Sequence, residues 1–505
     1  MPPFIKLSGR STSGFVCLVF ITIMIKSLFS GCIVLLTFSC SVSSQSIVRF
    51  KTSKPYSVFN FLEVAGGAQS QSSTYRNYVD TSVMRHEPSF AALANAFQQL
   101  NLSYNYRRDE YPSNRRQTRS TYDLLVIAAV KSASIEEFRM STIGILPNST
   151  HQEMCELMTK AEPFYDRYVW RQSEKSTQQQ INGFRKYAAR ANQLFHAFRN
   201  FYRSSWPDNI PFDVAVFPIP AKSGNTTATP HANSLCVSVL TGGKDPAGSM
   251  GVTMHEICHV LYDEQTSDFQ HQVDGWFTKS VSPFKDIAYS FFDEALATVL
   301  GNGWAYEDFT GKPDTTAWYN NEYIDGFAHA LHPLVKEYLT AGKPMDSLFV
   351  ENAIASFGKA YPRSLADYSI LLNNMYLYSD AEEPAERQKL KKILGKYFQS
   401  SRYNFSSPIL HEYSIDYIRN SKGTQLIIVD QNQDSTINEL KKAIPELNDI
   451  LKDPLSSNYV ASFYDNRKRT IILVRVTDKS MLDTAFKLLK EKKYLEVGAA
   501  VLPLQ

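Results

Sequence analysis

The spacing of apolar positions divides the chain into segments with different periods. Residues 177–203 carry apolar side chains three and four positions apart, which predicts one long amphipathic helix. Apolar runs at 213–219 and 234–240 predict two strands. Helical spacing follows from about residue 249 and again over 285–300, 324–341, 346–358, 363–378 and 384–398. The middle of the chain is therefore predicted to be a small sheet followed by a helical lobe.

The regions on either side have other patterns. Region 45–205 is predicted to be α/β, with a short strand at 58–64 and a solvated loop at the arginine-rich stretch 107–119. The last hundred residues predict strand, helix, strand, strand, helix and strand over 424–429, 435–451, 458–463, 470–476, 479–490 and 499–504. This order is that of a ferredoxin-like α/β domain, which we expect over 406–505. The predicted fold class is α+β.

An apolar stretch at the N-terminus has the layout of an export signal. Its two runs, 15–25 and 27–39, are each shorter than the ~18–20 residues that span a bilayer. Read from Met24, the chain has a start residue, one lysine, an apolar run and small polar residues, which predicts a secretory segment over 1–44. Two alternatives are lipidation at Cys40 and an uncleaved anchor across both runs, either of which would attach the protein to a membrane. Each places the remaining chain outside the cytoplasm, as a secreted, periplasmic or envelope-attached protein.

Composition and charge narrow the class of protein further. The chain has 505 residues, of which 43% are hydrophobic and 20% charged, as is typical of a globular protein. Segment 1–44 contains basic residues and no acidic ones, so that the excess of 53 Lys and Arg over 50 Asp and Glu disappears when it is removed. This balance argues against a nucleic acid partner. Six cysteines are too few for a fold built on disulfides.

Residues 255–259 carry the strongest chemical signal in the chain, and they are His255-Glu256-Ile-Cys-His259. On a helix, His255 and His259 lie one turn apart on the same face, so that both imidazoles can hold one Zn²⁺. Glu256 lies about 100° around the helix, where its carboxylate can reach a water bound to that zinc. The pattern is the H-E-x-x-H motif of zinc peptidases.

A zinc site of this kind needs a third protein ligand. Tyr262 and Gln265 stand where the metzincin continuation has Gly and His, so that class is excluded. Glu294 lies farther along, in an Asp-Glu-Ala-Leu-Ala segment with helical spacing, and is the first candidate. His271 and Glu264 are the rival third ligands.

The stretch 210–400 resembles the gluzincin zinc metallopeptidases. It has an edge strand, the H-E-x-x-H helix and a second helix with the D/N-E-A-x-A pattern. The resemblance implies a zincin-like catalytic domain over 206–405, formed by a small sheet and a helical lobe, which hydrolyses peptide bonds in a peptide or protein substrate with zinc as cofactor. It implies that the zinc ligands are His255, His259 and Glu294, and that Glu256 is the catalytic base that activates the zinc-bound water.

The resemblance also implies a donor that stabilises the oxyanion, because gluzincins take a Tyr or His from the helical lobe for this role. The segment from Asn321 to His332 offers three candidates, of which Tyr323 and His329 are the first and His332 is the third. The weaker candidates are Tyr376 and Tyr378.

Smaller roles are assigned by position. Asp263 and Asp293 are candidates to orient the histidine ligands, because Thr298 holds the place where some gluzincins carry such an aspartate. Asn233, in the segment expected to form the edge strand, is a candidate substrate contact. Cys258 is predicted to be a small buried core residue.

Two other functions stay open at this point. One is a catalytically idle zincin-like protein used for binding, and the other is a non-peptidase zinc amidohydrolase. The intact Glu256 argues against the first, because an idle protein does not need the base.

Overall fold

The computed structural model describes residues 46–68, 70–452, 457–496 and 500–504. The predicted export segment 1–44, with Cys40, lies outside these residues. Helices predominate, and short strands form two larger sheets and one hairpin. The fold class is therefore α+β, as the apolar pattern predicts.

The helices follow one another along the chain as α1 (Lys54–Ala65), α2 (Ser73–Thr81), α3 (Pro88–Gln98), α4 (Thr121–Lys131), α5 (Ile135–Ser141), α6 (Asn148–Tyr165), α7 (Arg171–Arg185), α8 (Ala188–Tyr202), α9 (Pro246–Asp263), α10 (Ser267–Lys279), α11 (Lys285–Ala297), α12 (Tyr306–Thr310), α13 (Glu322–Thr340), α14 (Ser347–Ala360), α15 (Tyr368–Leu371), α16 (Pro384–Gly395), α17 (Glu412–Asn420), α18 (Gln433–Ala443), α19 (Leu447–Ile450) and α20 (Met481–Lys492). A 3₁₀ turn covers Val83–His86, and π-helical segments cover Asp166–Trp170 and Thr298–Ala305.

The strands are β1 (Val48–Lys51), β2 (Asn105–Arg107), β3 (Thr118–Ser120), β4 (Phe212–Ile219), β5 (Ala228–His231), β6 (Ser234–Leu240), β7 (Asn374–Ser379), β8 (Arg402–Ser406), β9 (Thr424–Val429), β10 (Tyr459–Tyr464), β11 (Thr470–Arg475) and β12 (Ala500–Pro503). The predicted strands at 213–219 and 234–240 are confirmed as β4 and β6.

The first sheet has the order β1-β4-β6-β5. β4 runs parallel to β1 and β6, and β5 lies antiparallel to β6 at the edge. One face of the sheet, with Val214 and Val237, packs on α9, and the other, with Phe217 and Cys236, packs on helices of the N-terminal region. Because β1 comes from before residue 205, the predicted boundary at 205/206 does not separate two sheets.

The N-terminal region is more helical than predicted. The strand expected at 58–64 is wrong, because these residues lie in α1. Ser53 caps α1 by accepting a hydrogen bond from the Tyr56 N–H, and Pro55 occupies the first turn. Nearly all of α1 is buried, so its continuous apolar run has the same appearance as a buried strand. The predicted long helix at 177–203 is α7 and α8, separated at Lys186–Tyr187.

The second large sheet corrects the ferredoxin-like prediction. The predicted element order is present from β9 to β12, but the strand order is β12-β10-β11-β9-β7-β8. β11 is parallel to β9 and antiparallel to β10, so the strands joined by α18 run in opposite directions. A split βαβ unit needs these two strands to be parallel. The sheet is therefore a different, six-stranded mixed arrangement, and β9, β10 and β11 are buried on both faces, which left their pairing open in the sequence.

Two further predictions fail at the start of this sheet. The helix expected at 363–378 is only the short α15, after which residues 374–379 form β7 and pair with β8 and β9. The predicted boundary at 405/406 falls inside β8. Packing of Met375 and Leu377 into the core of the C-terminal sheet outweighs their compatibility with a helix.

None of the helices in the described part of the chain is long and apolar enough to cross a membrane.

Candidate metal centre

Three predicted ligands converge in the helical lobe. The Nε2 atoms of His255 and His259 lie 3.0 Å apart. His255 Nε2 lies 3.7 Å from Glu294 Oε2, and His259 Nε2 lies 3.6 Å from Glu294 Oε1. Within the described residues, this is the one group of three or more His, Cys, Asp or Glu side chains that is arranged to hold a metal ion.

The helix α9 presents both histidines because its start and its packing are well defined. Asp245 caps it by accepting a hydrogen bond from the Gly248 N–H at 2.9 Å, and Pro246 occupies the first turn. The helix then packs on one face of the first sheet, with apolar residues buried along its length. His255 and His259 leave this core on one face, one turn apart.

A close approach of two backbones positions His255. A Cβ atom at Gly251 would lie 2.9 Å from the Gly301 carbonyl oxygen, and one at Gly301 would collide with the His255 N–H. Gly301 belongs to the π-helical segment Thr298–Ala305 that continues α11. The absence of side chains at both glycines therefore lets this segment touch α9 directly behind the first ligand.

Charge complementarity holds the third ligand. Burial alone would raise the pKa of Glu294, but His259 and His255 outweigh this effect and hold the pKa well below its ordinary value. Burial would lower the pKa of His259, whereas Asp293 and Glu294 raise it well above its ordinary value. The neighbouring positions 293 and 294 of α11 thus both supply negative charge to the centre.

Asp293, one of the two predicted orienting aspartates, contacts one of the predicted ligands. Its Oδ1 lies 3.1 Å from His259 Nδ1, so that His259 Nε2 faces the other ligands. Such a carboxylate contact fixes the tautomer and the ring orientation of a metal-binding histidine. The second ring nitrogen of His255, Nδ1, is buried and has no hydrogen-bond partner among the described residues.

Glu256 is buried beside the three ligands and is not one of them. Burial raises its pKa, and His255 and His259 act in the opposite direction. Glu256 is therefore a buried carboxyl group that lies next to the ligands in the chain and does not belong to their group.

Tyr319 is the residue that the sequence did not single out. Its ring stacks on His255 with centroids 6.0 Å apart and an angle of 19° between planes. Burial raises the pKa of its hydroxyl, and the neighbouring Glu294 carboxylate raises it further, so that Tyr319 remains a proton donor. Asp325 accepts hydrogen bonds from the backbone N–H groups of Trp318 and Tyr319 at 2.6 and 3.2 Å, which fixes this segment before α13. No spacing in the sequence distinguished this tyrosine from its neighbours.

The two first oxyanion candidates are engaged elsewhere. The Tyr323 hydroxyl donates to Asp367 Oδ2 at 2.8 Å and is buried. The His329 ring stacks on Trp318 at 3.8 Å, and its Nδ1 lies 2.9 Å from the Asp325 carbonyl oxygen. The structure does not bring either side chain into contact with the ligands.

The other candidates are also placed outside the centre. His332 lies 3.5 Å from Glu307, and Tyr378 donates to Gln425 in the C-terminal sheet. Tyr376 lies on the same strand as Tyr378, against Tyr417.

The rival ligands have other contacts. His271 Nε2 lies 3.0 Å from the Glu110 carbonyl oxygen, and Glu264 follows the end of α9, where its carbonyl accepts from Ser205. Asn233 donates to the Pro211 carbonyl at 2.9 Å, in the turn between β5 and β6. Cys258 is fully buried in the core, as predicted.

The arginine-rich stretch is not the solvated loop that the sequence predicts. Residues 105–120 form a hairpin of β2 and β3, which we call the hairpin strap, and it is bound to the end of α9. The Arg115 guanidinium lies 3.4 Å from the Tyr262 ring centroid and donates to Gln265. Arg119 pairs with Asp263 at 3.1 Å, so this aspartate serves the strap and not a histidine ligand. The partners of both buried arginines lie far along the chain, so the spacing of the stretch itself did not indicate burial.

The residues present fit a zinc ion. Two imidazoles and one carboxylate are a known zinc donor set, and a tetrahedral ion with ligands at ~2.0–2.1 Å places its donors about 3.3–3.4 Å apart. The three separations here lie on both sides of that value. The buried Glu294 Oε2 has no hydrogen-bond partner among the described residues, as expected of an atom that a cation would satisfy.

Comparison with known proteins adds no relative: no family model, no curated protein and no solved structure matches the chain.

Proposed function

We propose that the protein is an exported zinc-dependent peptidase of the gluzincin type, with a zincin-like catalytic region built from the first sheet and the helical lobe. The observation that carries the proposal is the convergence of His255, His259 and Glu294 beside the buried Glu256. A structural helix does not need two imidazoles and a carboxylate with their polar atoms turned toward one point. Export stays a prediction from residues 1–44.

Three side chains would bind the metal ion, and a fourth would orient one of them. His255, His259 and Glu294 would hold the ion, and Asp293 keeps the His259 ring oriented toward it. When bound, zinc lowers the pKa of water and polarises a carbonyl group. Three protein ligands leave a coordination position open, as in catalytic rather than structural zinc sites.

Glu256 moves the proton. Its carboxylate accepts a proton from the attacking water and delivers it to the nitrogen of the leaving amine. Burial raises the pKa of the Glu256 carboxyl toward neutral pH, where the group can both accept and release a proton.

Tyr319 stabilises the developing oxyanion. Its hydroxyl is protonated, it faces the Glu294 side of the centre and its ring is fixed against His255. A donor of this kind is held in place before the reaction, so it stabilises negative charge without reorganisation. The proposal therefore assigns to Tyr319 the role predicted for Tyr323 or His329.

A peptide can reach the centre along β5. This strand ends the order β1-β4-β6-β5, so its outer edge pairs with no other strand of the described chain. β5 packs against α9, and an extended peptide added to this edge would pass beside the ligands. A strand-like substrate is therefore the best fit to the site.

The test is metal analysis together with cleavage mapping. We expect the purified protein to contain one zinc per chain and to cleave a mixture of peptides, and Glu256→Gln to lower kcat by about 10²–10⁴-fold with zinc retained. Glu264→Gln, a matched change one residue past α9, leaves kcat unaltered. Zinc without cleavage of any peptide would instead support the idle binding protein, and cleavage of non-peptide amides alone would support the amidohydrolase.

A further inference from the structure

A second histidine–aspartate pair lies at the end of β5. His231 is the last residue of this strand, and its Nδ1 lies 2.9 Å from Asp123 Oδ1 at the start of α4. Both side chains are mostly buried, with 10% and 13% of their surfaces exposed. Tyr122 packs edge-on against the His231 ring at 5.9 Å. The imidazole is therefore held on two sides by α4.

The hairpin strap ties this pair to the metal helix. Arg116 lies 3.4 Å from Asp123 and 3.8 Å from Asp263, which is one turn after His259 on α9. Arg119 lies 3.1 Å from the same Asp263. The hairpin strap, α4 and the end of α9, which are distant in sequence, are thus linked by charged contacts next to His231.

The chemistry of Asp123 fixes the tautomer of His231. Burial would raise the pKa of Asp123, but the contacts with His231, the Ser120 N–H and Arg116 lower it to about 2. An ionised carboxylate only accepts hydrogen bonds, so Nδ1 of His231 carries the proton. In the neutral ring, Nε2 is then an acceptor, and it has no hydrogen-bond partner among the described residues.

His231 is the last residue of the edge strand that a peptide would use. Ser238 donates to the Thr227 carbonyl on the inner side of β5, so alternation turns the backbone groups of Ala228 and Pro230 outward. Beyond them the strand stops, because Ala232 has φ +50° and begins the turn to β6. An extended peptide that pairs with Ala228 and Pro230 finds no further backbone acceptor past this point.

The strand that carries His231 also contacts the metal helix. β5 packs on α9, which carries Glu256 and the two histidine ligands, and on α4, which carries Asp123. The pair therefore lies on a strand that packs against the metal helix, although neither of its residues is part of the ligand group.

We propose that His231, oriented by Asp123, is a substrate-positioning residue whose Nε2 accepts a hydrogen bond from a backbone N–H of the bound peptide where β5 ends. This inference rests on the proposed function, because it requires a peptide bound along the edge of β5. It adds a contact from the N-terminal region, through Asp123, to a site otherwise built on the helical lobe.

The experiment measures binding separately from cleavage. In the zinc-loaded Glu256→Gln protein, the affinity for oxidised insulin B chain is measured by calorimetry with His231→Leu, His231→Gln and the matched control His196→Leu added in turn. His196 is exposed on α8 and pairs with Asp208, so it provides a histidine–aspartate pair that lies outside β5 and α4. We expect His231→Leu to weaken binding about tenfold, the glutamine variant, which keeps an acceptor, to stay within about threefold, and the control to change nothing.

A second measurement identifies the donor. Backbone N-methylation is scanned along the B-chain segment that binds, and one position should weaken binding to the parent and have no further effect in His231→Leu. In the protein with Glu256 intact, His231→Leu should raise KM and leave kcat nearly unchanged. Circular dichroism and zinc content, unchanged in the variant, confirm that the fold and the centre are intact.

The outcomes separate this inference from the proposed function. Cleavage that Glu256→Gln abolishes, combined with a KM and an affinity that His231→Leu does not alter, overturns the role of His231 and leaves the peptidase proposal standing. Binding that depends on His231 without any cleavage overturns the peptidase proposal and keeps the positioning role. A protein that neither binds nor cleaves the B chain contradicts both.

Discussion

Two histidine–aspartate pairs in this molecule have nearly the same geometry and different surroundings. His259 and Asp293 are 3.1 Å apart in the metal centre, and His231 and Asp123 are 2.9 Å apart at the end of β5. In the first pair, the other ring nitrogen faces His255 and Glu294. In the second pair, the other ring nitrogen has no hydrogen-bond partner among the described residues. The partner of the second nitrogen, rather than the pair itself, therefore distinguishes the proposed ligand from the proposed substrate contact.

The two regions are also assembled in different ways. The metal centre takes its groups from two helices of one lobe, and the positions of those groups follow helical spacing. The His231 pair needs α4, β5 and the hairpin strap to meet, and its charges are balanced through Arg116 and Asp263. Sites of the first kind are visible as motifs, and sites of the second kind are visible only in the folded chain.

The largest expected effect tests which tyrosine belongs to the metal centre. Tyr319→Phe removes the donor next to Glu294, and we expect kcat to fall by about 10²–10³-fold, as for other oxyanion donors. Tyr323→Phe makes the same chemical change on a hydroxyl bound to Asp367 and should leave kcat within about threefold. Steady-state kinetics on one peptide measures both. Equal losses in the two variants would show that the centre extends beyond the residues assigned to it.

The next effect tests the comparison of the two pairs directly. Asp293→Asn leaves His259 without its carboxylate, and we expect zinc affinity to fall by about 10–100-fold. Asp123→Asn alters the matched pair and should leave zinc affinity unchanged. Competition with a zinc chelator gives both affinities. A loss of zinc in Asp123→Asn would mean that His231 supports the metal and not the substrate.

The smallest effect concerns the region under the second pair. Glu63, on α1, accepts from Gln71 at 3.2 Å and lies against Tyr122. Burial raises its pKa to about 7, with Tyr122 acting in the opposite direction. Since this folded-state pKa exceeds the unfolded value, the folded protein holds more protons between the two. The contribution of Glu63 to stability is complete below the unfolded pKa and is lost as the pH rises through about 7.

The corresponding measurement is urea unfolding at pH 5.5 and pH 7.5. Over this interval, the wild type should lose about 1–2 kcal/mol relative to Glu63→Gln, which does not titrate. Glu156→Gln, an exposed change on α6, serves as the control and should follow the wild type. An identical pH dependence in all three proteins would show that Glu63 is hydrated in the folded state.

The sequence predictions were confirmed where they depend on local spacing and were wrong where they depend on contacts between distant segments. The strands β4 and β6, the helix α9 and the ligand group were predicted, because each depends on spacing within a short segment. The strand expected at 58–64 and the helix expected at 363–378 were wrong, because a buried apolar run fits either structure until its neighbours are known. The ferredoxin-like arrangement failed for a related reason, since the order of elements does not specify which strands pair.

The site residues also differ in whether local spacing could identify them. His255, Glu256 and His259 could be assigned from their spacing, and Asp293 and Glu294 from one neighbouring segment. Tyr319 could not, because it lies in a non-helical segment whose position depends on Asp325 and on the His255 ring. His231 could not, because its partner Asp123 lies more than a hundred residues away.

By itself, the sequence determined the α+β class, the main strands and helices of the middle region and the residues that could bind a metal. These depend on backbone periodicity and on side chains one helical turn apart, which are local properties of the chain. The tertiary structure decided the strand pairing, the position of Tyr319 beside His255, the contacts of the hairpin strap and the second histidine–aspartate pair. All of these depend on contacts between segments distant in sequence, which packing and charge balance select only when the whole chain is folded.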